Sequence, residues 1–290
     1  LIVTGGAGFV GSNLIKYLLK KTNFKIISVD NYSSGSKSNH INNKRVKYLK
    51  SNTKYISRVL NKNSNQIHTI FHFGEFSRIY QSFKKFDQCF ESNSIASKAV
   101  FNFCLLNKIK LVYSATSASL GNSGKDKDLS PYAFTKSKNI ELLENLKNWF
   151  NLKFEIIYFY NVYGPKQICK GDMATVIGIF ELMYKHNKPL TVVRPGSQTR
   201  RFTHIDDTIE AVYFAWKKNK NRHYSVSNRK SYSIIEVAKL FSNKIKYLPK
   251  RSGERYASAL TEMNLSNKVY KIFGRKNLKS YINHFKKNIS

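Results

Sequence analysis

LIVTGGAGFVGSNLIKYLL, residues 1–19, carries Gly5, Gly8 and Gly11 in G-x-x-G-x-x-G spacing between an apolar start and an amphipathic run. Residues 1–3 read as a buried strand. Residues 12–21 place Leu14, Ile15, Leu18 and Leu19 at helical spacing. A glycine loop that leaves a strand and opens a helix lets backbone approach a pyrophosphate, and the helix N-terminus attracts its charge. Taken alone, the spacing fits an ordinary tight turn equally well. The rest of the chain decides between the two.

That chain alternates. KIISVD (25–30), RVKYL (45–49), HTIFHF (68–73), KLVYSA (110–115) and KFEIIYFY (153–160) read as the second to sixth strands. A long helix is expected over 86–106 and another over 131–150, with Pro131 at its first position. Strands alternating with helices predict parallel pairing through right-handed crossovers, and near-continuous apolar runs suit strands covered on both faces. The expected fold class is α/β, a Rossmann doubly wound parallel sheet with a smaller C-terminal α/β substrate lobe. Residues 1–160 form the dinucleotide-binding domain, with 205–228 packing back onto it. Residues 161–204 and 229–290 form the lobe, where DMATVIGIFELMY and SIIEVAKLF read as helices and PLTVV as a strand. The tail from Tyr247 has a mixed pattern.

The composition narrows the function classes. With 290 residues and 41% hydrophobic content, the chain can bury a sizeable core. No apolar run approaches the roughly 18 residues of a membrane span, and the first residues lack the basic region and cleavage site of a signal peptide. The absence of an initiator Met suggests a trimmed start. Cys89, Cys104 and Cys169 are too few and too widely spaced for a disulfide framework or a zinc site, so no metal is expected. A reducing, cytoplasmic setting is predicted. The 50 Lys and Arg against 17 Asp and Glu give a formal charge of +33. They are scattered, with no Lys/Arg block and no RNA-binding aromatic signature, so nucleic acid is not the expected partner. A basic surface would instead draw in a doubly charged pyrophosphate, an effect that salt weakens.

Four features can share one sheet edge. Asp30 ends the second strand, where a carboxylate can accept hydrogen bonds from both hydroxyls of an adenosine ribose and would repel a 2′-phosphate, favouring NAD over NADP. SPYAFTK places Tyr132 and Lys136 four apart on one helix face. A phenol near pKa 10 is a poor base at neutral pH, but an adjacent ammonium and a positive nicotinamide ring favour its phenolate. YSATSASLGN supplies hydroxyls at the end of the fifth strand: Ser114, Thr116, Ser117 and Ser119. Parallel α/β sheets bind ligands at the carboxyl ends of their strands, where all four features fall.

With these residues in place, the chain resembles the extended short-chain dehydrogenase/reductases, and within them the NAD-dependent nucleotide-sugar epimerases and dehydratases, of the UDP-glucose 4-epimerase type. The resemblance spans residues 1 to about 265. It rests on TGGAGFVGSN, VDNYSSG, FHFGEFSR…QSF, YSATSASLGN, SPYAFTK, YFYNVYGPKQ, TRRFTHIDD and RSGERYA. It implies that Gly5, Gly8, Phe9, Val10 and Gly11 meet the NAD pyrophosphate and that Asp30, Asn31, Ser34 and Gly35 hold the adenosine ribose. Asn52 would lie near adenine. Phe73 and Gly74 would line the cofactor channel, Asn93 and Ser114 would approach the cofactor, and Tyr160 its nicotinamide side. Thr116, Tyr132 and Lys136 would be catalytic, the last two also touching NAD. Arg78, Asn161, Thr175, Val176, Arg200, Arg251 and Glu254 would bind the nucleotide sugar.

The chain also departs from the family pattern. The 4,6-dehydratases carry Thr-Asp-Glu at the fifth-strand site, whereas Thr116 is followed by Ser117 and Ala118, which favours epimerisation over dehydration. Arg201 stands where relatives place Asp. Tyr80 stands where relatives that handle glucuronate tend to place Arg. Glu75 and Arg78 fall on the wall where the hexose would lie, either to bind sugar substituents or to pair with each other. The implied function is epimerisation of a nucleotide sugar, a UDP-hexose at C4, through a transient 4-keto intermediate. A dehydratase or reductase of the same fold, or a non-catalytic NAD- or RNA-binding scaffold, is the alternative. Relatives often form homodimers through the two long helices.

Overall fold

The structure is a computed structural model and describes residues 1–119, 126–251 and 269–289. Its centre is an eight-stranded sheet in which every pairing is parallel. The first six strands are β1 (Ile2–Thr4), β2 (Ile26–Asp30), β3 (Val46–Lys50), β4 (Thr69–His72), β5 (Lys110–Thr116) and β6 (Phe154–Phe159). Two later strands, His223–Ser227 and Val269–Phe273, extend the sheet beyond β6. From β1 the chain builds outward through β2 and β3 on one side, then returns to add β4, β5 and β6 on the other. The end of β1 is therefore the point where strand order reverses, the place where doubly wound sheets open a ligand crevice.

Both faces of the sheet are covered, as its unbroken apolar strands require. On one face Phe101, Phe103 and Leu143 pack against Ile70, Leu111, Tyr113 and Phe154. On the other, α1 (Phe9–Lys21) and the helix Ile205–Lys218 bring Leu14, Leu18, Val212 and Trp216 against Val3, Phe71, Val112 and Ile157. Leu111, Val112 and Tyr113 thus alternate between the two cores, as successive strand residues must. Trp216 adds an indole hydrogen bond to Thr69 at 3.0 Å. A third core joins Phe180, Leu190, Val192, Phe202 and Phe241 to Leu278 and Ile282 in the C-terminal lobe.

Some elements differ from the sequence reading. The helix expected over 86–106 is continuous but changes winding, with a π-helical stretch at Glu91–Ala96 between α-helical Phe86–Phe90 and Ser97–Leu106. Asn93 sits in that stretch, fully buried, and both accepts from the Phe76 amide (2.7 Å) and donates to the Phe76 carbonyl (3.1 Å). The tail supplies two elements that its mixed pattern concealed. These are the edge strand Val269–Phe273 and the helix Leu278–Lys287. Residues from the stretch assigned to the lobe therefore also complete the central sheet.

Candidate active site

The glycine loop is shaped for close approach. Gly5 has φ +69°, and a Cβ there would stand 2.8 Å from the Phe73 carbonyl oxygen and 2.9 Å from the Gly74 Cα. A Cβ on Gly11, in the first turn of α1, would stand 2.2 Å from the Gly5 carbonyl oxygen. That oxygen accepts from the Gly8 amide at 3.0 Å, and Gly8 caps α1 with no side chain of its own. Bare backbone at a helix N-terminus thus faces a cavity of about 510 Å³. These glycines fit a dinucleotide pyrophosphate.

Asp30 lines the cavity at the end of β2. One carboxylate oxygen accepts from the Ala7 amide (2.9 Å) and the other from the Tyr32 amide (2.7 Å), so the group is held in place with a lone pair on each oxygen still free for a ribose hydroxyl. Burial raises its pKa, and the two backbone bonds oppose that. Phe9, Val10, Asn31, Ser34, Asn52, Phe73 and Gly74 line the same end. Gly35 lies behind it, where a Cβ would meet Ala7 and the Asp30 carboxylate at 3.0–3.1 Å.

The ends of β4 and β5 and the helix Pro131–Phe150 bring the reactive groups together. Ser130 caps that helix by accepting from the Ala133 amide at 3.1 Å, and Pro131 fills its first position. The Tyr132 phenol and the Thr116 hydroxyl share one wall of the cavity. Burial pushes the phenol up to about 12. The Thr116 hydroxyl opposes the rise, Glu75 adds to it, and Arg78 opposes it. Lys136 is buried and donates to the Ser114 carbonyl. Burial lowers its pKa, and Glu75 raises it. Thr116, Tyr132, Lys136 and Ser114 all line the cavity.

Glu75 is where the structure settles an open question. It pairs with Lys136, not with Arg78. The Arg78 guanidinium instead donates to the Met173 carbonyl at 3.0 and 2.6 Å and to the Ser77 carbonyl at 2.9 Å, while still lining the cavity. No residue pattern announced the Glu75–Lys136 contact, because 61 positions separate the partners. The one available signal was a lone acid in the apolar stretch FHFGEF.

Asn161, Thr175, Val176, Arg200 and Arg251 line the same cavity. The Thr175 hydroxyl also caps the helix Val176–Lys185, accepting from the Gly178 amide at 3.0 Å and donating to Gln167 at 2.8 Å. The Arg251 guanidinium lies 5.1 Å over the Tyr80 ring. Asn93 and Tyr160 are buried away from the cavity lining, Asn93 against the Phe76 backbone and Tyr160 in the sheet's core. Glu254 lies outside the described residues. Arg201, at the position of the family's usual Asp, donates to the Ser227 hydroxyl at 3.3 Å.

Known proteins resemble the chain over most of its length. Residues 1–227 match the family model "NAD dependent epimerase/dehydratase family". The chain is 31% identical over 258 residues to ADP-L-glycero-D-manno-heptose-6-epimerase of Brachyspira hyodysenteriae, covering 82% of this chain and 79% of that protein. Its fold is similar to that of UDP-glucose 4-epimerase from Thermotoga maritima, with TM-score 0.86 and 22% identity over 100% of this chain and 99% of that one. It is equally similar in fold to dTDP-glucose 4,6-dehydratase from Streptomyces venezuelae, with TM-score 0.87 and 17% identity over 99% and 97% of the two chains. With the family model covering residues 1–227 and a relative 31% identical over most of both chains, the chain belongs to the NAD-dependent epimerase/dehydratase family.

Proposed function

We propose that the protein epimerises a nucleotide sugar, a UDP-hexose at C4, through a transient 4-keto sugar. The observation that carries the reading is the convergence of Thr116, Tyr132 and Lys136 on one cavity wall, with Ser117 and Ala118 where a dehydratase would carry an acid pair. NAD, when bound, supplies the hydride acceptor and donor. The chain's own part is to move a proton and hold the sugar. Tyr132 takes the hydroxyl proton of the reacting carbon, and Thr116 shares a hydrogen bond with the same oxygen as its charge develops. Lys136 favours the phenolate by its charge. Arg200 and Arg251, which line the cavity, suit the diphosphate, since a guanidinium fork binds phosphate oxygens in pairs. An anchored diphosphate keeps the keto sugar in place while it turns to present its other face.

A second reading moves the chemistry to C6 of an ADP-linked heptose. It is favoured by the relative at 31% identity, whose name records a 6-epimerase. One experiment separates the two. Incubation with UDP-, GDP-, dTDP-, CDP- and ADP-linked sugars, with products identified by NMR, is expected to convert one C4 pair without net NADH. Conversion of an ADP-heptose alone moves the assignment to C6. Net NADH or a stable keto product points to a dehydratase or reductase. No conversion of any sugar, with salt-dependent RNA binding, removes the enzyme reading.

We also infer a cytoplasmic homodimer. Cys89, Cys104 and Cys169 are all free thiols, which suits a reducing compartment. Phe86, Ile95, Phe134 and Trp149 are exposed on the helices expected at a dimer interface. Sedimentation equilibrium at monomer mass would refute the dimer.

A further inference from the structure

We propose that Glu75 is a positioning residue for the reaction, the built-in counter-charge that fixes the Lys136 ammonium at the carboxyl end of β5, one helical turn from Tyr132. The inference rests on the reading of Lys136 as the partner of Tyr132. It goes beyond the Thr–Tyr–Lys set, which contains no acid.

Glu75 lines the cavity, but its carboxylate is committed mainly to protein donors. Its side chain is 3% exposed. One carboxylate oxygen pairs with Lys136. The other accepts from the Ser97 hydroxyl (2.7 Å), the Tyr113 phenol (3.0 Å) and the Asn139 amide (3.1 Å). Four donors from three separate segments converge on the carboxylate, three of them crowding one oxygen. A carboxylate held by four protein donors is fixed in orientation. Lys136 is held in turn. Two of its three ammonium protons go to Glu75 and the Ser114 carbonyl, its Nζ lies 4.3 Å over the Tyr113 ring, and one proton remains for whatever occupies the cavity.

Charge explains why the acid is needed. Burial alone drives an ammonium toward its neutral form, and for Lys136 burial is the largest influence. The groups around it are His72 at the end of β4, Arg78 at the start of the next helix, Cys89, Tyr113 and Tyr132. His72 is pushed down to about 4 and is neutral near pH 7. Cys89, pushed up to about 11, is neutral as well, and both phenols are raised. Arg78 is a second cation. Among these described neighbours, Glu75 is the one anion that can hold the proton on Lys136.

The test is a thermal-unfolding cycle of the ligand-free chain across pH 6.5–9.5 with Glu75→Gln, Lys136→Met and the double variant. In E75Q the folded-state Lys pKa falls further below its unfolded value of about 10.4. A depressed lysine destabilises the fold at lower pH, and stability recovers as pH rises toward the unfolded pKa. The Tm deficit of E75Q is expected to be at least about 5 °C at pH 6.5 and to shrink toward pH 9.5. In the K136M background, where Glu75 would be a buried anion without its cation, the same substitution is expected to leave Tm unchanged or to raise it. A pH-independent deficit, or one of equal size in both backgrounds, overturns the proposal. If E75Q fails to fold, folding of the double variant supports it, and failure of the double where K136M alone folds overturns it. Turnover gives a second readout. The alkaline limb of the E75Q kcat profile is expected at least about one pH unit lower, with sugar KM within about threefold of wild type and the limb restored in Glu75→Asp. A wild-type chain that turns over no sugar refutes the proposed function, while the unfolding cycle still decides Glu75.

Discussion

Gly11→Ala puts the reading of the glycine loop at risk most directly. Its new methyl would sit 2.2 Å from the Gly5 carbonyl oxygen and 2.8 Å from both the Gly5 carbonyl carbon and the Gly6 Cα. All three obstacles are backbone, so no side chain can rotate away. Ordinary contact requires the loop and α1 to part by about 1 Å. Overpacking of this kind costs about 1–3 kcal/mol, against about 1 kcal/mol gained by removing a helical glycine. The free chain should therefore lose little to about 2 kcal/mol. Ligand binding should suffer more. The displaced oxygen holds the Gly8 amide at 3.0 Å, so the helix N-terminus loses its alignment on the pyrophosphate. A misplacement of about 1 Å can cost about 100-fold. At NAD equal to 100 times the wild-type Kd, wild type gains about 2.7 kcal/mol from binding, and a variant with 100-fold weaker affinity gains about 0.4 kcal/mol. At roughly 2–4 °C per kcal/mol, NAD should raise the wild-type Tm by about 5–11 °C and the variant's by about 1 °C. Differential scanning fluorimetry with titrated NAD reads this directly, after any co-purified NAD is removed. A Gly11→Ala chain whose NAD-induced shift matches wild type would refute the assignment of this loop to the pyrophosphate.

Three further outcomes are expected. Tyr132→Phe should lower kcat by about 10²–10⁴-fold while changing the NAD Kd by less than about fivefold; unaltered turnover would remove Tyr132 as the base. Asp30→Ala should weaken NAD by about 10- to 100-fold and narrow the NAD/NADP preference, which paired calorimetric titrations would measure; an unchanged preference would separate Asp30 from the ribose. His72, fully buried between Thr4 (2.7 Å) and Ser97 (3.0 Å), is pushed from 6.5 down to about 4. A folded-state pKa below the unfolded one means that stability is complete above pH 6.5 and is lost as pH falls toward 4. The loss should reach about 2 kcal/mol at pH 5, seen by urea denaturation at pH 7 and 5. His72→Gln should flatten that difference, and an equally steep pH dependence in the variant would exclude His72 as its source.

The parts of this protein that were legible from sequence are those in which neighbouring residues report the same fact. Residues 1–21 contain a strand, a loop and a helix in one reading frame of chemistry, and Asp30 is bound back to Ala7 at 2.9 Å across that same unit. Pro131, Tyr132 and Lys136 likewise belong to one helix, so their spacing carries their geometry. What stayed hidden depends on contacts between distant segments. Glu75 meets Lys136 only because β4 and β5 are neighbours in the sheet and the helix after β5 folds back over them. Asn93 looked like a cofactor contact by position, yet its amide is committed to the Phe76 backbone, and the π-helical winding around it leaves no local pattern. The strand Val269–Phe273, with Lys271 among apolar neighbours, has no clean alternation to mark it. Its identity as a strand comes from pairing with His223–Ser227.

That last strand has a consequence for how the chain is made. The central sheet is laid down in order as far as β6, but His223–Ser227 is capped on its outer side only when residues 269–273 emerge, more than forty residues later. Until then a nascent chain carries a nearly finished nucleotide-binding core with an open row of backbone amides and carbonyls along one edge, ready to pair with the same edge of another chain. A product stopped short of residue 269 would keep its glycine loop, Tyr132 and Lys136 and still be a template for aggregation. Closing that edge is the part residues 269–273 play in the finished sheet, and it is a different task from holding any ligand.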